Sequence, residues 1–213
     1  MRPIGIFGGT FDPIHYGHLR TALELQATLD LAVVHFVPCA TPPHRAAPMT
    51  DGALRLKMVR AAIRDERGFV ADDRELVREG PSYTIDTLAS FRAEFSAQAL
   101  CLMVGMDAFL GLPQWHRWRE LTTLAHIVVA HRPGWQAPTS GTLGELLRER
   151  RTASATELAA RPGGLVHIQP VTQLEISSTD LRDSLRAGRD PKFLMPDAVR
   201  QIILETEVYA QSL

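Results

Sequence analysis

The 213-residue sequence has only two cysteines, Cys39 and Cys101, and only two lysines, Lys57 and Lys192. The cysteines end or begin apolar runs and show no metal-ligand spacing, so they read as buried thiols of a reducing compartment, with no disulfide and no cysteine metal site expected. Excess charge of either sign is missing too: 23 Lys plus Arg against 24 Asp plus Glu leave a net charge of -1, which gives none of the electrostatic footprint of a nonspecific nucleic-acid binder. No apolar run approaches the ~20 residues needed to cross a bilayer. The chain enters an apolar strand at once, without a basic stretch and a long apolar segment ahead of it, so the expected location is cytoplasmic, with no membrane partner. Two familiar phosphate-loop patterns are also absent: no Gly-Lys-Ser/Thr follows a glycine loop, and no Gly-x-Gly-x-x-Gly occurs. Repeats are lacking as well. With 45% hydrophobic residues the chain can bury a full core, and residues 1–213 are expected to form a single domain with 177–213 as its helical C-terminal part.

What the sequence does contain is concentrated near its start. Pro3 to Phe7 is a short apolar run that reads as a buried strand, and Leu19, Ala22, Leu23 and Leu29 recur at helical spacing. Between them lies Gly8-Gly9-Thr10-Phe11-Asp12-Pro13-Ile14-His15-Tyr16-Gly17-His18. Gly8 and Gly9 carry no side chain to keep a ligand off the backbone, and the N–H groups of the loop and first helical turn suit an anion. His15 and His18 project from the same helix start and add donors that are charged only when protonated. A metal-binding pair is the competing reading, and no nearby Cys or Glu supports it.

Further along, Ala32 to Val37 reads as a strand, and Thr41-Pro42-Pro43-His44-Arg45 is a stiff turn that sets a histidine and an arginine beyond its end. Asp51-Gly52 opens a helix with Leu54, Met58, Ala61 and Ala62 on its core face. Gly68 to Asp72 is a weaker strand, and Asp73 to Glu79 a charged, solvent-facing connection. Gly80-Pro81-Ser82-Tyr83-Thr84 leads into a helix with Ser82 as its cap, Thr84, Leu88, Phe91 and Phe95 as its stripe, and the amides of Tyr83 to Ile85 as a second anion site. Ala99 to Val104 is a central strand ended by Gly105-Met106-Asp107, where the carboxylate can hold a ribose hydroxyl, a metal-bound water or the next helix start. Trp115 and Trp118 lie in a short polar loop, as a stacking platform or as a lid over the core. Ala125 to Ala130 is a strand leading to His131-Arg132-Pro133-Gly134. Residues 136–162 are polar, with a helix from Leu143 to Arg151, and are expected to be the most mobile part. Leu165 to Ile168 is the last strand. Ile176-Ser177-Ser178-Thr179 with Arg182 one turn later describes a phosphate clamp of amides, hydroxyls and a guanidinium. Ala198, Ile202 and Ile203 form the face of a closing helix.

Gly-Gly-Thr-Phe-Asp-Pro followed by His-x-Gly-His resembles the signature of the nucleotidyltransferase superfamily. The ordered series that continues through Pro42 to Arg45, Pro81 to Thr84, Gly105 to Asp107, Leu112 to Trp115, Arg132 to Gly134 and Ile176 to Thr179 resembles its bacterial nicotinate-nucleotide adenylyltransferases over nearly the whole chain. The resemblance implies an α/β fold, a Rossmann-like doubly wound parallel sheet, and transfer of AMP from ATP to nicotinate mononucleotide, giving deamido-NAD and pyrophosphate. It assigns His15, His18 and Arg182 to catalysis. Gly8, Gly9, Thr10, Phe11, His44, Arg45, Gly105, Asp107, Ile176, Ser177 and Thr179 would hold ATP, and Tyr83, Thr84, Trp115 and Arg132 would hold nicotinate mononucleotide. Mg²⁺ would arrive with the triphosphate, without a direct protein site. Arg45 replaces a lysine common among relatives, and Gln201-Ile202 replaces a tyrosine-containing stretch in the last helix. No Lys-Met-Ser-Lys loop is present, which disfavours the tRNA synthetase relatives. Two alternatives remain: another phosphate acceptor, nicotinamide mononucleotide or phosphopantetheine, or a nucleotide-sensing module without turnover.

Overall fold

A computed structural model describes residues 1–41, 47–131, 136–172 and 174–210. Seven strands form one sheet: β1 (Ile4–Gly9), β2 (Val33–Pro38), β3 (Phe69–Ala71), β4 (Leu100–Gly105), β5 (His126–His131), β6 (Arg151–Thr152) and β7 (Val166–Pro170). Their order is β3-β2-β1-β4-β5-β7-β6, and each pairing is parallel. The helices are α1 (Tyr16–Thr28), α2 (Gly52–Ile63), α3 (Thr84–Glu94), α4 (Met106–Leu110), α5 (Leu121–Leu124), α6 (Gly141–Arg150), α7 (Ala155–Ala159), α8 (Ser178–Arg186) and α9 (Asp197–Thr206).

Strand residues alternate between the two faces, as the period of two requires. Phe7, Val34, Phe36, Cys101 and Met103 pack with Ala22 and Leu25 of α1, Met58 and Val59 of α2, and Val199, Ile202 and Ile203 of α9. Ile4, Ile6, Leu100, Leu102 and Val104 pack on the other face with Leu88 and Phe91 of α3, Phe109 of α4, Leu121 of α5, and Leu143 and Leu147 of α6. Burying each of these larger side chains contributes about 1.5–3 kcal/mol. Both faces are therefore covered, which is the doubly wound α/β arrangement. The chain runs β1, β2, β3 toward one edge and resumes at β4 on the other side of β1. That reversal leaves a crevice beyond the ends of β1 and β4, where open parallel sheets bind ligands.

The local expectations hold in outline and differ in detail. The buried face of α1 carries Ala22 and Leu25, whereas Leu23 is 37% exposed. Ile85 and Thr87, with Leu88 and Phe91, are the buried residues of α3, and Val199 takes the inward position expected of Ala198. Residues 136–162 carry more regular structure than their polarity suggests: α6 and α7 bury Leu143, Leu146, Leu147 and Leu158, and β6 adds an edge strand. Of the two thiols only Cys101 is buried, and burial pushes its pKa up to about 12. Cys39 is half-buried and lines the crevice. Among the described residues no helix is long and apolar enough to cross a membrane.

Candidate active site

The crevice is a cleft of about 370 Å³. Gly8, Gly9 and Thr10 at the end of β1, with Gly105 at the end of β4, make its floor. A Cβ built on Gly8 or Gly105 meets nothing within 4 Å, so these glycines leave open space above the strand ends. Asp107, in the first turn of α4, stands exposed at the rim. Tyr83, Thr84 and Trp115 form the opposite wall, so these three share one cleft with Gly8, Gly9, Thr10, Gly105 and Asp107 of the expected nucleotide residues, whereas Phe11, Ile176, Ser177 and Thr179 are not among the residues that line it.

His15 and His18 sit beside this cleft, at the start of α1, rather than among the residues that line it. His15 caps α1: its Nδ1 accepts the Gly17 amide at 3.1 Å, which places the ring proton on Nε2. A Cβ at Gly17 would lie 3.0 Å from the His15 ring, so a side chain there would press on the capping imidazole. The two imidazoles are 3.8 Å apart, and the Nδ1 of His18 is buried without a partner. Burial lowers the His15 pKa to about 4. Burial, with His15 adding to it, holds His18 well below its ordinary value. Both rings are neutral at pH 7, and an incoming phosphate charge would raise both values.

The loop between β1 and α1 is held from beneath. The guanidinium of Arg55, 1% exposed, donates to the carbonyls of Thr10 at 2.7 Å, Cys39 at 2.6 Å and Thr50 at 3.0 Å. Arg182 donates to the Asp12 carbonyl at 2.7 Å and to the Thr179 hydroxyl at 3.2 Å. Ser178 donates to the Pro13 carbonyl at 2.9 Å. The Asp12 carboxylate accepts the Met49 amide at 2.8 Å and the Tyr209 hydroxyl at 2.5 Å. Burial and that carboxylate push the Tyr209 pKa up. Three loop carbonyls are thus drawn toward side-chain donors. In a trans peptide the N–H opposes the C=O, so the Phe11 amide faces away from Arg55. Phe11 itself has φ 49°, a strained value for an aromatic residue, and its ring packs edge-on against His18 at 5.1 Å.

The clamp therefore reaches the site through the loop. Ser177 caps α8 by accepting the Asp180 amide at 3.1 Å. Ser178 and Arg182 bind α8 to the underside of Asp12-Pro13, the Thr179 hydroxyl accepts from the other end of the Arg182 guanidinium, and the Ile176 carbonyl lies 3.5 Å from a Cβ built on Gly17. In this arrangement Arg182 holds loop backbone, with its Nε buried and unpartnered.

Two expectations on the other wall need correction. Ser82 does not cap α3: its hydroxyl accepts the Ala40 and Thr41 amides at 2.9 and 3.3 Å, tying the chain beyond β2 to the start of α3, and Tyr83 takes the cap position. The Tyr83 amide is engaged with the Pro81 carbonyl at 3.1 Å, so the helix's free donors begin at Thr84. Within the charged 73–79 connection Glu75 is buried rather than solvated, at 7% exposure. It accepts the Thr87 hydroxyl at 2.6 Å, and burial raises its pKa. Glu75 and His116 also line the cleft, and the His116 ring lies 4.3 Å from that of Tyr83.

His44, Arg45 and Arg132 lie outside the described residues. Sequence reasoning missed Arg55, Glu75, His116 and the Asp12–Tyr209 pair. Arg55 had a usable signal: it stands three and four residues before Met58 and Val59, on the core face of α2, where a charged side chain must have partners. The Asp12–Tyr209 contact joins residues 197 apart, and no local pattern announces it.

The Cytidylyltransferase-like family matches residues 6–184. A Methylococcus capsulatus protein named "Probable nicotinate-nucleotide adenylyltransferase" is 51% identical over 209 residues, 98% of this chain and 100% of the relative. A Halorhodospira halophila protein of the same name is 46% identical over 209 residues, 98% of this chain and 96% of the relative. The solved structure of Plasmodium falciparum nicotinic acid mononucleotide adenylyltransferase complexed with NaAD superimposes with a TM-score of 0.72 at 17% identity, covering 98% of each chain, a likeness of fold. With the family match spanning most of the chain and full-length relatives near half identity, this chain belongs to the nicotinate-nucleotide adenylyltransferases of the cytidylyltransferase-like family.

Proposed function

We propose that the chain transfers the AMP unit of ATP to the phosphate of nicotinate mononucleotide, with the triphosphate beside the β1–α1 loop and the pyridine ring between Tyr83 and Trp115. The observation that carries this reading is the glycine-floored cleft at the β1/β4 reversal, bordered by a loop whose carbonyls are turned away and by two neutral imidazoles.

The acceptor phosphate is already an anion, so no protein nucleophile is required. One of its oxygens bonds to the α-phosphorus in line as the bond to the bridging oxygen breaks, and pyrophosphate leaves with those electrons. The protein's part is positioning and stabilisation of charge at phosphorus. The Nε2–H of His15 and the ring of His18 supply donors at the start of α1, and the α1 N-terminus favours the same charge. Arg182 and Ser178 set that loop's position through the Asp12 and Pro13 carbonyls, and Ile176, Ser177 and Thr179 are proposed for the far end of the triphosphate. His44 and Arg45 are proposed for the triphosphate and Arg132 for the acceptor. Among the described residues no three His, Cys, Asp or Glu side chains are grouped as metal ligands. Mg²⁺ is proposed to enter as part of the nucleotide, where it would neutralise the leaving pyrophosphate. Asp107 is available to a ribose hydroxyl or to the ion's water shell.

For the acceptor, the first free amides of α3 donate and its dipole favours a carboxylate, so the acid is preferred to the carboxamide. The test is pyrophosphate release from ATP with nicotinate mononucleotide, nicotinamide mononucleotide and phosphopantetheine in parallel. Fastest release with nicotinate mononucleotide is expected. Release only with phosphopantetheine, or with no acceptor, would overturn the assignment.

A further inference from the structure

Paired β1 and β2 end in a fork, and one buried cation sits in it. The pairing runs to Gly9 opposite Pro38 and is extended by the Cys39 amide on the Gly9 carbonyl at 2.9 Å. Beyond that point the chains diverge, Thr10 toward the strained Phe11 and Cys39 toward Thr41. Arg55 spans the divergence: Nη1 on the Thr10 carbonyl, Nη2 on the Cys39 carbonyl, and Nε on Thr50 just ahead of α2. Thr10 and Cys39 both line the cleft. No described carboxylate forms an ion pair with Arg55. A fully buried guanidinium bonded only to main-chain carbonyls is a costly way to fill a core position, since an apolar side chain of similar volume would pack there without desolvating a charge.

We propose that Arg55 is a positioning residue for the triphosphate: it fixes the width of the β1/β2 fork and the orientation of the Thr10–Phe11 peptide, so that the loop meets the nucleotide with its N–H groups. The planar fork of a guanidinium suits this task, because its donors leave one plane at fixed angles. A lysine ammonium has three donors but lacks that planar span. The proposal rests on the nucleotide side of the assignment above and is independent of the acceptor's identity.

The experiment compares wild type with Arg55→Lys and Arg55→Met in two ways: binding of a non-hydrolysable ATP analogue by calorimetry, and steady-state kinetics with each substrate varied. Displacements of an ångström at a reacting centre cost on the order of 100-fold. Arg55→Met is therefore expected to lose about that much in kcat/KM for ATP and to bind the analogue at least about tenfold more weakly, while KM for the acceptor stays within about twofold. Arg55→Lys is expected to recover only part of the loss. Analogue binding within about twofold of wild type in a folded variant would overturn the proposal, whatever its melting temperature. So would equal weakening of both substrates, or failure of both variants to fold, because either places Arg55 in the service of the core. Calorimetry needs no acceptor, so a wrong acceptor assignment would leave this test intact.

Discussion

The two walls of the cleft are built on different principles. On the phosphate side, the Thr10–Ile14 loop is bound through its main chain by Arg55, Arg182 and Ser178, and through the Asp12 carboxylate by Tyr209, which is 1% exposed. These donors come from α2, α8 and the stretch after α9, so three distant parts of the chain fix one short segment. On the acceptor side, Tyr83, Trp115 and His116 are half-buried or exposed rings carried by a helix start and a 3₁₀ turn at Leu112–Gln114. Tyr83 and Trp115 lean on the core beneath them, the Tyr83 ring also lies 4.3 Å from that of His116, and among the described residues no side-chain donor network like that of the loop is drawn to them. The contrast matches the chemistry: stabilising charge at phosphorus rewards donors fixed in advance, whereas holding an aromatic base needs only flat surfaces that can adjust.

Mutations on the two sides should separate kcat from KM. The largest effect is expected from His18→Ala, which removes a group whose contact strengthens as charge builds at phosphorus. A fall in kcat of about 100-fold or more, with substrate KM values little changed, is expected from steady-state kinetics. A kcat near wild type would take His18 out of the mechanism. Arg182→Ala comes next. Its bond to the Asp12 carbonyl means that loss should loosen the loop, raising KM for ATP about tenfold or more while acceptor affinity stays nearly constant. Equal weakening of both substrates would point to a general folding role.

Trp115→Ala should act on the other wall. Removing one stacking face is expected to raise KM for both nicotinate and nicotinamide mononucleotide by a similar factor, about tenfold, without erasing the preference between them. A change confined to one acceptor would show that Trp115 reads the substituent. The smallest effect concerns pH and stability. His15, His18 and His126 all have depressed pKa values, from burial and, for His18, also from His15. For such groups the unfolded chain binds more protons as pH falls, so their stability contribution is present above about 6.5 and is lost toward the folded values, about 4 for His15. The melting temperature of the ligand-free protein should drop over that window. His15→Asn keeps a cap acceptor for Gly17 and removes one titrating ring, so its pH profile should be shallower. An unchanged slope would show that other groups dominate acid unfolding.

Much of the phosphate wall was legible in the sequence because its information is local. An apolar run, two glycines and His-x-Gly-His within a few residues dictate strand, loop and helix start, and each of those residues lies at the expected junction. Six of the seven parallel strands were similarly readable from short apolar runs, whereas the two-residue β6 falls at the end of what reads as helix. What escaped was set by contacts between distant segments. The helical spacing puts Arg55 on the core face of α2, but its partners Thr10 and Cys39 come from distant loops, and Ser82 reads as a cap until the chain after β2 offers two amides. Glu75 looked solvated because it stands among charges, yet Thr87 and the cleft wall enclose it. Leu25 rather than Leu23 faces the core of α1 because the helix rotation is decided by the sheet it packs on.

The central claim is that the phosphate wall performs adenylyl transfer while the α3 end of the acceptor wall selects a carboxylate. It is tested most directly by competition: equal concentrations of nicotinate and nicotinamide mononucleotide, limiting ATP, and chromatographic separation of the two dinucleotides. Their ratio reports relative kcat/KM. One charge-assisted contact, about 1.5–3 kcal/mol, predicts a roughly ten- to hundredfold excess of deamido-NAD over NAD. Equal amounts of the two dinucleotides, or an excess of NAD, would contradict it.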